Sequence, residues 1–226
     1  MPRKVAALFT GGKDSTRALE IALKQGLKVE YLVTMVPRRE ESWMYHSVGL
    51  NVVELLSDAI GIPLVKAETE GVKEEEVEDL KRALEALKIE GVVCGAIASK
   101  YQRDRVARVC SELGLDLYTP LWGVDEERYL EELLRDGYEI MVVSVSALGL
   151  NEKWLGRVLD HEALEELKKL KAKLGINLSL EGGEAETLVL DSPIHRKRLV
   201  IVEAEKTWDG RSGVLRIKKA ELRDKP

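Results

Sequence analysis

The sequence predicts an α/β fold: a doubly wound, parallel five-stranded sheet followed by a smaller C-terminal α+β domain. Three observations carry that prediction. Short apolar runs alternate with stretches of helical period through the first half of the chain. A glycine pair stands at the first strand-to-helix junction, and from Trp122 onward the strand-like runs lie closer together. Strand–helix alternation calls for crossovers between parallel strands, whereas neighbouring strand runs with short turns call for antiparallel pairing.

Val5-Ala6-Ala7-Leu8-Phe9 is a continuous apolar run, as expected of a parallel strand covered on both faces. A helix follows, with Ala18, Leu19, Ala22 and Leu23 on one face and Gly26 as its stop. Residues 29–36 read as the second strand. A helix over 45–60 repeats apolar groups at Val48, Val52, Leu56 and Ala59 before Gly61. Residues 64–67 form a short strand after Pro63. The next helix carries Val77, Leu80, Leu84 and Leu87 on its inner stripe. Residues 92–97 are the fourth strand, and Ser99 caps a helix with Val106, Val109, Cys110 and Leu113 inside. Residues 116–121 supply the fifth strand.

Beyond Trp122, helices over 125–135 and 160–174 flank a strand at 139–146. Three further strand-like runs, 187–190, 198–206 and 213–220, close the chain. The expected division is therefore residues 1–122 and 123–226, with a cleft between the two parts. In open parallel sheets the ligand sits beyond the carboxyl ends of the strands, where the loops of interest fall.

Composition narrows the class. Among 226 residues only Cys94 and Cys110 are cysteines, and neither belongs to a Cys-x-x-Cys pair. That excludes a disulfide scaffold or a zinc cluster and marks both as core thiols. The net charge of −5, with both signs interleaved, provides no long-range attraction for DNA or other nucleic acid. No apolar run approaches the roughly 18–20 residues that span a membrane. Met1-Pro2-Arg3-Lys4 leads straight into the first strand rather than into a secretory signal, so a soluble, cytoplasmic protein is expected. A charged fraction of 33% resembles the composition of hyperthermophile proteins.

The segment Thr10-Gly11-Gly12-Lys13-Asp14-Ser15 joins the first strand to its helix. Phosphate binding needs inward-pointing backbone N–H groups, close approach of the main chain and a helix N-terminus behind the loop. Gly11 and Gly12 permit the approach, Lys13 neutralises phosphate oxygens, and the Ser15 hydroxyl adds a hydrogen bond. Asp14 beside phosphates calls for an intervening Mg²⁺ or for a role in shaping the loop. This is not a Walker A loop, whose two glycines stand four residues apart before Lys-Ser/Thr. The bland alternative is a tight turn with a capping Asp.

The loop is similar to the Ser-Gly-Gly-x-Asp-Ser PP-loop of the ATP pyrophosphatase superfamily, which includes GMP synthetase, NAD synthetase, asparagine synthetase and tRNA thiolases. Thr10 replaces the usual Ser and keeps the hydroxyl. The resemblance implies cleavage of ATP to AMP and pyrophosphate through an adenylated substrate.

Further segments narrow it. They are Ser42-Trp43-Met44-Tyr45-His46, the stretch Gly95-Ala96-Ile97-Ala98-Ser99-Lys100-Tyr101-Gln102-Arg103-Asp104-Arg105-Val106 running on to Pro120-Leu121-Trp122, and Glu181-Gly182-Gly183-Glu184-Ala185-Glu186-Thr187. Together with Leu148-Gly-Leu-Asn151 and Leu155-Gly-Arg157 they resemble the diphthine–ammonia ligase family over nearly the whole chain. Ala185 stands where that family usually has an aromatic residue.

The resemblance implies amidation of diphthine on translation elongation factor 2, with ATP activating the carboxylate and free ammonium displacing AMP. It implies ATP and Mg²⁺ as cofactors, with Asp14 toward the metal. Lys13, Asp14, Glu184 and Glu186 would be catalytic. Gly95, Ser99, Gln102 and Met35 would join the loop around the nucleotide, adenine lying near residues 33–35. Tyr45, His46, Tyr101, Glu181, Gly182, Gly183 and Thr187 would face the substrate.

Plain readings stand beside these. Glu181-Gly182-Gly183-Glu184 is ordinary turn chemistry, although three carboxylates within six residues invite ammonium, Mg²⁺ or a trimethylammonium group between them. Trp43, Tyr45, Tyr101 and Trp122 offer an aromatic face to a quaternary ammonium, or simply pack. Lys100, Arg103, Arg105 and Arg108 read as a solvated helix face. A homodimer is left open. The rival functions are another PP-loop ATP pyrophosphatase, acting on tRNA or nucleotides, and an ATP-binding sensor without turnover.

Overall fold

The computed structural model describes residues 2–37, 52–69 and 75–225. Its first half contains β1 (Lys4–Leu8), α1 (Lys13–Lys24), β2 (Lys28–Pro37), α2 (Val53–Ile60), β3 (Leu64–Thr69), α3 (Glu75–Glu85), β4 (Gly91–Val93), α4 (Lys100–Leu113) and β5 (Asp116–Tyr118). The five strands pair in parallel in the order β3-β2-β1-β4-β5, with β1 central.

Strand alternation explains the double winding. Val5 and Ala7 of β1 join Ala18, Leu19 and Ala22 of α1 and Leu56 of α2 in one cluster. Ala6, between them, joins Val77, Leu80 and Leu84 of α3 and Val106, Val109 and Cys110 of α4 in another. Both faces of the central strand are dry, as its unbroken apolar run requires.

The second half contains α5 (Glu126–Arg135), β6 (Glu139–Val145), α6 (His161–Leu174), β7 (Ala185–Asp191), β8 (Lys197–Trp208) and β9 (Gly213–Asp224). Its four strands form an antiparallel sheet in the order β7-β6-β9-β8. Val145, Leu188 and Leu199 of this sheet belong to the same apolar cluster as α1 and α2. A buried polar group reinforces the junction: Arg17 pairs with Glu20 at 2.6 Å and with Asp136 at 2.9 Å, and the Tyr138 hydroxyl donates to Glu20 at 2.6 Å.

Two expected strands are shorter in the structure. The fourth ends at Val93, where the chain turns to lay Gly95 against the phosphate loop, and the fifth ends at Tyr118. The last two strands are longer than expected and form a single hairpin, closed by Asp209 Oδ1 accepting from the N–H groups of Arg211 and Ser212. The helix expected over 45–60 is present from Val53; its earlier part lies outside the described residues.

Candidate functional site

The loop after β1 is held by hydrogen bonds to its neighbours. Phe9 donates its N–H to Val33 O at 2.9 Å and accepts from Thr34 Oγ1 at 2.5 Å. Gly11 holds φ +77, and a methyl there would meet Leu56 Cδ1, so this position suits only glycine. The Gly12 carbonyl accepts from Ser15 Oγ at 3.1 Å and Thr16 Oγ1 at 2.9 Å, which draws the loop into the first turn of α1. Thr10 and Ser15 hydroxyls lie 3.3 Å apart. Gly12 caps α1 without a side chain, and although the Lys13 N–H goes to Thr187, the positive end of the helix suits an anion.

Lys13 is buried, and its Nζ lies 2.8 Å from Asp14 Oδ2. A buried ammonium needs such a partner. The other oxygen, Asp14 Oδ1, accepts from the Tyr129 hydroxyl at 2.7 Å. Tyr129 is itself buried, and burial, followed by the nearby Asp14 charge, pushes its phenol well above the usual range. It therefore remains a donor at every working pH.

The second sheet closes the loop from the opposite side. Val189 N–H donates to Gly11 O at 2.8 Å, and Lys13 N–H donates to Thr187 Oγ1 at 3.2 Å. Gly95 abuts the backbone of Asp14 and Ser15. Glu181 reaches back across the gap, accepting from Ile97 N–H at 2.7 Å and Ala98 N–H at 2.5 Å. Burial raises the Glu181 carboxyl above the ordinary carboxylate range; the two N–H groups oppose that rise and the Asp14 charge adds to it.

These elements enclose a cavity of about 330 Å³. Thr10, Gly12, Lys13, Asp14 and Ser15 form its floor; Gly95, Ser99, Tyr101 and Gln102 form one wall, and Glu181, Gly183, Glu186 and Thr187 the other. Ser99 caps α4 by accepting from Gln102 N–H at 3.3 Å. Ala185, despite its small side chain, is buried, lines the same wall and pairs with Val145 across the sheet.

Other expected site residues lie elsewhere. Met35 is packed inside the sheet among α3 and α4 side chains. Gly11 faces Leu56 and β7 rather than the cavity, and Gly182 lies against Asn177. Glu184 turns aside: its Oε1 accepts from Asn177 N–H at 2.9 Å and Asn177 Nδ2 at 2.7 Å. Trp43, Tyr45 and His46 lie outside the described residues. One face of each remaining aromatic carries a guanidinium, Arg105 over Tyr101 at 3.5 Å and Arg103 over Trp122 at 3.9 Å.

Tyr129 and Asn177 were not legible as site residues. Tyr129, Leu130 and Leu133 are spaced as a helix core stripe, which hides the polar tip of the tyrosine. Both cysteines are buried free thiols; burial raises Cys94 and pushes Cys110 to about 11, so neither is a ready nucleophile. Among the described residues no group of three or more His, Cys, Asp or Glu side chains is arranged as a metal cluster.

The family model described as the diphthamide synthase N-terminal domain matches residues 3–117, and that of the diphthamide synthase C-terminal domain matches residues 125–222. The chain belongs to the diphthamide synthase family. It is similar to the diphthine–ammonia ligase of Homo sapiens, 33% identical over 225 residues that cover 89% of this chain and 84% of the human one. It is also similar to the diphthine–ammonia ligase of Schizosaccharomyces pombe, 35% identical over 244 residues. That alignment covers 99% of this chain and 40% of the yeast protein, so this chain spans less than half of that relative. A looser likeness is to a solved structure described as a predicted subunit of tRNA methyltransferase from Methanocaldococcus jannaschii, with 16% identity and a TM-score of 0.47 over 84% of this chain and 98% of that one.

Proposed function

We propose that this chain is an ATP-dependent ligase that amidates diphthine on elongation factor 2 with ammonium, releasing AMP and pyrophosphate. The observation that carries the reading is the shared cavity. The phosphate loop and the acidic loop before β7 line one space, and β7 itself bonds to the phosphate loop through Thr187, in a chain whose relatives are named diphthine–ammonia ligases.

A carboxylate is a poor acyl donor. In the first step its oxygen attacks the α-phosphorus of ATP, and the bond to pyrophosphate breaks. In the second, ammonium gives up one proton to become ammonia, whose nitrogen attacks the acyl carbon; AMP leaves with the bonding pair, and the nitrogen sheds a second proton. Lys13 and the positive end of α1 hold the phosphates where negative charge develops. Asp14, fixed by Lys13 and Tyr129, sets the direction of the lysine. Glu186, on the opposite wall, is the carboxylate suited to hold ammonium and take up a proton. Glu184 acts through Asn177 on the shape of the acidic loop.

Mg²⁺ favours one or two carboxylates together with water and phosphate oxygens. Asp14, in the floor of the cavity beside the phosphate loop, would supply such a carboxylate. When bound, the ion would neutralise charge on the departing pyrophosphate.

ATP–pyrophosphate exchange tests the first step. Exchange is expected with diphthine-bearing elongation factor 2 and without ammonium. Exchange that ignores the protein substrate points to another PP-loop reaction, and ATP binding without exchange points to a sensor.

A further inference from the structure

Leu180 holds φ +61, and among the described residues it is the one residue other than glycine at positive φ. A Cβ makes this left-handed turn costly, most of all in a bulky or β-branched residue. Such a conformation persists only where its surroundings over-determine it, and it clusters at working sites. Leu180 lines the cavity.

The chain is clamped on both sides of it. Leu180 is buried, and its N–H donates to Asn177 O at 3.1 Å. Upstream, the Glu126 carboxylate grips the two preceding residues. Its Oε1 accepts from Ser179 Oγ at 2.7 Å and its Oε2 from Leu178 N–H at 3.2 Å, while Lys171 Nζ stands 2.8 Å from Oε2. Downstream, Asn177 donates to Glu184, and Gly182 lies so close to the Asn177 amide that a methyl there would collide with it.

The left-handed turn sets where the next residue goes. Glu181 crosses to the β4–α4 turn and accepts from Ile97 and Ala98 N–H. A negative φ at position 180 would send the chain off in another direction and carry the carboxylate away from those donors. The same β4–α4 turn lays Gly95 against Asp14 and Ser15. Helix α5 holds both ends of this span: Glu126 grips the approach to Leu180, and Tyr129, one helical turn along on the same face, bonds Asp14.

We propose that Leu180 is a positioning residue, whose left-handed turn aims Glu181 at the Ile97 and Ala98 amides and so fixes the acidic wall relative to the phosphate loop. The role rests on the ligase reading of this cavity and adds the residue that sets its width. Leu180 acts through Glu181 and touches no reacting atom.

Leu180→Ile and Leu180→Met separate the turn from the packing. Both nearly conserve the side-chain volume, so a packing role alone makes the two alike. Only isoleucine adds a branch at Cβ, which the left-handed backbone resists. Amide hydrogen exchange at Ile97 and Ala98 is read by NMR, and amidation is followed with diphthine-bearing elongation factor 2. Relative to Leu180→Met, Leu180→Ile should exchange those two amides about tenfold faster and lower kcat about tenfold, with ATP affinity within about threefold. In a Glu181→Ala background, isoleucine in place of methionine should cost no further turnover, because the turn acts through that carboxylate. Leu180→Gly and Leu180→Ala cover the case in which the isoleucine variant does not fold. Both lose the side chain, and the glycine variant, at ease in the left-handed region, should melt higher and protect the two amides better than the alanine variant.

Equal amide exchange and equal kcat in Leu180→Ile and Leu180→Met overturn the role. So does an alanine variant more stable than the glycine one, or an undiminished loss from isoleucine in the Glu181→Ala background. A wild type that does not amidate sinks the ligase reading instead, and amide exchange alone then decides whether Leu180 places Glu181.

Discussion

The Tyr129 hydroxyl donates a 2.7 Å hydrogen bond to Asp14 Oδ1, tying a helix of the antiparallel half to the phosphate loop of the parallel half. Asp14 thus has one oxygen on Lys13 and the other on Tyr129, and its carboxylate cannot turn without breaking one of them.

Tyr129→Phe keeps the ring and removes only the donor. A hydrogen bond to a charged acceptor contributes about 1.5–3 kcal/mol, and the partial exposure of Asp14 places this one near the lower end. The variant should therefore melt at lower temperature yet fold, and AMP release should fall about tenfold in kcat with little change in the KM for ATP. Unchanged kcat would mean that Asp14 needs no external hold.

Glu181→Gln sets an amide NH₂ against one of the two backbone donors that the carboxylate receives, Ile97 N–H or Ala98 N–H. One of the two bonds is lost, and the wall opposite the phosphate loop loosens. Amide formation should drop about tenfold or more while the fold is retained, because a single such bond is worth only about 1–3 kcal/mol. Wild-type turnover in Glu181→Gln would reduce this residue to an ordinary turn carboxylate.

Gly95→Ala would place its methyl 2.8 Å from the Asp14 carbonyl and 2.9 Å from Ser15 N, backbone atoms that cannot yield as a side-chain tip does. The β4–α4 turn or the phosphate loop must shift. The expected outcome is weaker ATP binding by tenfold or more in a titration with the nucleotide, with the protein still folded. Wild-type affinity would show that the two loops are not in fixed contact.

His195 is buried, shares a 2.5 Å hydrogen bond between its Nδ1 and Ser192 Oγ, and has its pKa lowered to about 4, chiefly by burial and further by Lys225. The unfolded chain takes up a proton near pH 6.5, whereas the folded chain resists it until about pH 4. The contribution is therefore complete above pH 6.5 and is lost as pH falls through that window, by up to about 3 kcal/mol. Denaturant titrations at pH 7 and pH 5 should show the loss in the wild type and a flatter dependence in His195→Asn. Equal slopes would remove His195 as the cause.

The phosphate loop and the order of strands and helices were legible because both are local. Val5–Phe9 shows its burial by composition, and Thr10–Ser15 shows its turn by adjacent glycines. The contacts that complete the cavity were not legible. Tyr129 meets Asp14 across 115 positions, Glu181 meets Ile97 across 84 and Thr187 meets Lys13 across 174. Side-chain pairs between distant elements leave no periodic trace in one sequence. The acidic motif reads as equivalent carboxylates, yet Glu184 belongs to the turn before β7 and goes to Asn177, while Glu186 lies within the strand and lines the cavity.

In the proposed reaction one cavity activates a protein-borne carboxylate with ATP and passes the acyl group to ammonia. Incubation of the chain with ATP, Mg²⁺, ¹⁵N-ammonium and diphthine-bearing elongation factor 2 tests it most directly. AMP and ¹⁵N-labelled diphthamide are expected in equal amounts, both lost in Lys13→Met. AMP formed at the same rate without elongation factor 2, or without incorporation of ¹⁵N, would contradict it.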